Sequence, residues 1–152
     1  MYREILCFFS GLVLSLFLCQ ADAGAAADQA SSRRERAAEL QTQGNFTEAY
    51  DLYRQLAIDA GAAEPADIGY AVGCLNNLGR QDEIDEFLES AIAQHQGNWR
   101  ILVAAAHQYT YTNHYGFLIG GEFRRGHHRG GGRWVNSIER DRVRALQLME
   151  QA

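Results

Sequence analysis

The chain has 152 residues, with 14 basic ones, all arginine, against 19 acidic ones, for a formal net charge of -5. Seven of the arginines crowd into residues 122–144 while residues 28–121 are acidic, which excludes a uniformly basic nucleic-acid-binding surface. Three cysteines, two of them near the N-terminus, exclude a disulfide-stapled fold.

The first residues suggest export. Arg3 gives a positive start, Ile5 to Cys19 is an almost uncharged apolar run, and Ala21-Asp22-Ala23 puts small residues where a signal peptidase reads. Residues 1–23 are therefore expected to be a secretory signal peptide, with the remainder periplasmic or extracellular. The apolar run falls short of the ~20 residues a membrane-spanning helix needs. Phe17 and Leu18 stand where lipid attachment at Cys19 would want small residues. Residues 24–30 then read as a linker and 31–152 as one domain. Cys74, between Val72 and Leu75, reads as a small buried hydrophobe.

Beyond the leader the pattern is helical. Apolar residues recur at spacings of three and four, in Ala37, Leu40, Phe46, Ala49, Tyr53 and Leu56, and again in Ile68, Val72, Leu75, Ile84, Leu88 and Ala91. Ser32-Arg33-Arg34-Glu35 has the form of a capping box, Pro65 suits a first helical turn, and Asn98 can cap a helix begun at Trp99. Gly44, Gly61, Gly79 and Gly97 fall where helices should close.

Superposing Gly44 on Gly79 pairs Ala37 with Val72, Leu40 with Leu75, Ala49 with Ile84, Tyr53 with Leu88 and Leu56 with Ala91, apolar on apolar throughout. Two short antiparallel helices cannot bury their apolar faces alone, so a repeat of this kind implies stacked pairs. Gly44-Asn45-Phe46-Thr47-Glu48-Ala49, with Tyr53 four residues after Ala49 and Ala37 at the helix crossing, resembles the tetratricopeptide repeat. The second unit is degenerate, with Ile84 in place of the small residue and no closing proline. The resemblance covers roughly residues 30–112. It implies an all-α, right-handed solenoid of about three helical hairpins; a generic helical-hairpin array is the alternative.

The third repeat is interrupted. Trp99, Leu102, Ala106 and Tyr109 continue the first-helix pattern, and the second helix is expected from Arg144 to Ala152, where Ala145, Met149 and Ala152 repeat the spacing of Ala49, Tyr53 and Leu56. Leu146, Leu148 and Met149 would then be exposed on the last helix, as in a fragment of a longer protein or a truncated product.

Residues 114–138 form the intervening insert, rich in glycine, arginine and aromatics. Tyr115, Phe117, Phe123 and Trp134 suggest an ordered loop rather than a free linker. Arg124, Arg125, Arg129 and Arg133 beside glycine amides, with Trp134, are candidates for anion or partner binding. The competing reading pairs these arginines with the chain's own acids, such as Asp82, Glu83, Asp85, Glu86 and Glu89. His127 and His128 are adjacent and point apart, so a metal site with His114 is disfavoured. No nucleophile–base pattern has supporting context, export argues against stacking of nucleic acid, and no cofactor is expected. His95 reads as a helix-dipole partner.

The run from His114 to Ala152 also resembles a segment near the N-terminus of large exported bacterial alpha-2-macroglobulin-like proteins. That resemblance implies a leader module docking on a longer chain. The family's bait region and Cys-Gln thioester are not present in this sequence. The function expected from the sequence is a non-enzymatic protein-interaction or scaffold module. A partner peptide is expected in a groove lined by first helices near Leu75, Asn76, His107 and Tyr111, or else the partner is the downstream part of a longer chain.

Overall fold

The computed structural model describes residues 5–59 and 61–152, with side chains from Gly24 onward. The expected signal peptide, residues 1–23, lies outside the residues whose side chains are described. Among the described residues no helix is long and apolar enough to cross a membrane.

Among the described residues six α-helices carry the fold: α1 (Ile5–Thr42), α2 (Phe46–Ile58), α3 (Pro65–Leu78), α4 (Ile84–Gln94), α5 (Trp99–Tyr111) and α6 (Ile138–Gln151). A 3-10 turn, Gln81–Glu83, leads into α4. Helix α1 passes through Ser32, so the Ser32–Glu35 pattern does not start a helix. The alanine-rich stretch before it has high helix propensity and carries the helix onward. The capping box forms at α3 instead, where Glu64 and Asp67 satisfy each other's backbone amides and Pro65 occupies the first turn. Asn98 caps α5 as expected, accepting from the Arg100 amide at 3.2 Å. Gly44 (φ 82°) and Gly79 (φ 69°) close α1 and α3 in the left-handed conformation, whereas Gly61 and Gly97 lie in turns outside it.

The helices bury the faces their periodicity assigns. Ala37 and Leu40 of α1 meet Ala49, Tyr53 and Leu56 of α2 in the core, and Ile68, Val72 and Leu75 of α3 continue it. Burying each large aliphatic side chain contributes about 1.5–3 kcal/mol. Cys74 is a fully buried free thiol, its pKa pushed up by that burial. His95, at the end of α4, is buried rather than left to the helix dipole, and its Nε2 donates to the Ala57 carbonyl at 2.9 Å, tying α4 to α2.

Residues 114–138 hold a sheet rather than a loop, so the molecule is mostly helical and not all-α. Strands β1 (Tyr115–Ile119), β2 (Glu122–Arg125) and β3 (Arg133–Asn136) form an antiparallel sheet in the order β2-β1-β3. The physical reason is in the turn. Gly120 and Gly121, at φ 60° and 91°, close a two-residue hairpin whose twist matches that of its strands. Gly116 is equally required, since a Cβ there would lie 2.0 Å from the Arg124 carbonyl oxygen. The last helix also begins at Ile138 rather than at Arg144.

Candidate functional site

Pairing along the sheet decides which insert side chains face the helices. Phe123 and Arg125 lie across β1 from Leu118 and Gly116, and Arg124 and Trp134 both lie opposite Phe117 on the other face. Arg125 thus points inward and is only 1% exposed. Its guanidinium donates to Asp85 of α4 at 2.6 and 3.1 Å, to both oxygens of Asp141 of α6 at 2.9 Å, and to the Asn113 carbonyl. Arg140 bridges the same two carboxylates at 2.8 and 2.7 Å and lies over the Phe123 ring at 4.1 Å.

Asp141 also accepts from Ser137 at 2.8 Å and contacts His114 Nδ1 at 2.9 Å. Burial alone would raise its pKa. The hydrogen bonds from Arg125, His114, Arg140 and Ser137 outweigh that and hold the carboxyl far below the usual range. A second bridge links α4 and α6, with Arg144 donating to both oxygens of Glu89 at 2.8 and 2.6 Å. Tyr109 donates to Glu89 at 2.7 Å; burial and that acceptor push the Tyr109 phenol strongly upward. These contacts lock the sheet and α6 onto α4. Within the cluster every acid faces a cation, which suits a structural clamp rather than acid–base chemistry.

The arginines singled out in the sequence therefore separate. Arg125 is engaged within the chain, whereas Arg124, Arg129 and Arg133 are exposed and make no ion pair among the described residues. Trp134 is exposed on the outer face of the sheet, where the ring of His128 lies 6.2 Å from that of Phe117. Among the described residues no group of three or more His, Cys, Asp or Glu is placed to hold a metal ion.

The groove residues separate too. Leu75 is part of the core, Asn76 is exposed on α3, and His107 and Tyr111 lie together on α5 with ring centroids 4.3 Å apart. His107 and Tyr111 line an open, mainly apolar cleft of about 560 Å³ between α5 and α6. Its floor is Val103, Ala106 and Tyr109 of α5 with Ala145 of α6; Ile138, Leu146 and Met149 form the α6 wall. Arg142 stands on that wall, exposed and without an ion-pair partner among the described residues. A shallower cleft between α3 and α5, lined by Pro65, Gly69, Trp99 and His107, adjoins it. Of the three α6 residues expected to be exposed, Leu146 and Met149 are, whereas Leu148 is buried. Sequence reasoning missed Ile138, Arg142 and Val103. For Ile138 and Arg142 the signal was present as their spacing with Leu146 and Met149 along one face of α6.

A family model described as tetratricopeptide repeat matches residues 37–58, the end of α1, the Gly44 turn and α2. The chain thus contains a tetratricopeptide-like repeat, a unit typical of modules that mediate protein–protein contact. No curated protein and no solved structure matches the chain.

Proposed function

We propose that this chain is a non-enzymatic protein-interaction module of an exported protein, built as a right-handed stack of about three helix pairs and binding through the α5–α6 cleft. The carrying observation is the conjunction of a tetratricopeptide-like repeat with an apolar cleft that the fold leaves open. Tyr111, Ile138, Leu146 and Met149 are exposed together around one cleft rather than scattered singly, which is how apolar interaction sites are marked. A photo-crosslinking residue at position 149, introduced in the organism's own cells, tests this. The proposal expects a discrete protein adduct from position 149 and none from an exposed position on the opposite side, such as 48. Absence of adducts at every surface position would remove the reading.

The second reading is a leader module of a larger alpha-2-macroglobulin-like chain. It is favoured by the same open face and predicts that the adduct from position 149 forms within one polypeptide. Anion binding through Arg124, Arg129 and Arg133 is the third, supported by their exposure without acidic partners among the described residues.

A further inference from the structure

We infer that the α5–α6 cleft takes an amphipathic α-helix, seated as α3 is seated against the first helix pair, with an acidic side chain set against Arg142. This rests on the interaction-module reading and names the partner's chemistry.

One position in the second helix of each pair differs in exposure along the stack. In the first pair it is Tyr53, 2% exposed, whose ring stacks on Tyr70 of α3 at 5.1 Å. In the second pair it is Leu88, fully buried. In the third pair it is Met149, 54% exposed. Between the first and third pairs the neighbouring position repeats the contrast; in the second pair it is Asp85, held by Arg125 and Arg140. Tyr50 of α2 is buried, with Phe87 of α4 edge-on to its ring at 6.1 Å, while Leu146 of α6 is 56% exposed. Two helix pairs thus have this face covered by the helices that follow them, and the third presents the same face to solvent. The open cleft continues an interface already built twice within the chain, which specifies a helix rather than an extended strand as its occupant.

The polar contact has a precedent at the first joint. Arg34, on the first helix of its pair rather than the second, there holds Asp67 of the incoming α3 at 2.8 Å. In the open cleft Arg142, flanked by Ile138 and Leu146, has no ion-pair partner among the described residues, so a carboxylate on the border of the incoming apolar stripe completes the site.

The test uses the full isotopically labelled chain and two synthetic peptides that differ at one central position. One is an amphipathic helix with leucine and alanine on one face, glutamine and serine on the other and a single border glutamate; the other carries a central proline that prevents the helix. The inference expects the helical peptide alone to shift the amide resonances of Val103, Tyr111, Leu146 and Met149. Arg142→Ala should weaken that binding about tenfold. Binding of only the proline peptide, or shifts confined to the α1–α3 face, would overturn the helix inference and leave the interaction module standing. Binding of neither peptide, together with no cross-link from position 149, would remove both. Concentration-dependent self-association through Leu146, abolished by Leu146→Glu, would overturn the inference in favour of a second copy as occupant.

Discussion

Replacing Arg125 with methionine keeps most of the side-chain volume beside Phe123 and deletes the cation at the centre of the clamp. The guanidinium makes five hydrogen bonds, four of them to Asp85 and Asp141. After its loss only Arg140 bridges those two carboxylates, and Asp141 is fully buried. Removing one partner of a buried ion pair costs about 3–5 kcal/mol, because the buried carboxylates lose a counterion that water cannot replace. In a chain of this size each kcal/mol lowers the melting temperature by about 2–4 °C, so Arg125→Met should melt roughly 6–20 °C lower. Far-ultraviolet circular dichroism at neutral pH measures this directly. Adding Asp141→Leu should recover a large part of the loss, since Arg140 and Asp85 then remain as a pair. A melting temperature for Arg125→Met within about 2 °C of the wild type would refute the view that this cluster fastens the insert to α4 and α6.

Acid should weaken the same clamp. Hydrogen bonds hold the pKa values of Asp141 and Glu89 below their ordinary values, against the opposing effect of burial. Their stabilisation is therefore present at neutral pH and is lost as pH falls below about 4 toward the folded-state values. Denaturant midpoints should hold from about pH 7 to 5 and fall from about pH 4 downward, less steeply in Asp141→Asn. Gly116→Ala should disrupt the β1–β2 pairing, because its new methyl would meet the Arg124 carbonyl. The expected loss is about 2–4 kcal/mol, read from denaturant unfolding, and a loss below about 0.5 kcal/mol would contradict the close approach.

The helical part was legible because its information is local. Ala49, Tyr53 and Leu56 fall on one face of a helix, and Gly44 and Gly79 close their helices as glycine alone does cheaply. The sheet was legible in principle and was overlooked. Gly120-Gly121 between Tyr115–Ile119 and Glu122–Arg125 is a two-residue hairpin signal, but strands this short alternate over too few residues to compete with the surrounding helical period. The role of Arg125 was only half visible. Pairing with the chain's own acids was foreseeable, yet Asp85 lies 40 residues away, and only the sheet register selects Arg125 rather than Arg124 to meet it. Likewise, the exposed α6 residues were readable from periodicity, but the cleft needs α5 to supply its other wall.

On this reading the partner sits on the open face of α5 and α6. The most direct measurement is the affinity of the protein cross-linked at position 149 for the full chain and for Leu146→Glu/Met149→Glu. Both side chains are about half exposed, so folding should change by no more than roughly 0.5 kcal/mol. Burying them on binding contributes on the order of 2–3 kcal/mol, so the account predicts about 30- to 150-fold weaker binding at an unchanged melting temperature. Equal affinity of the two proteins would contradict it.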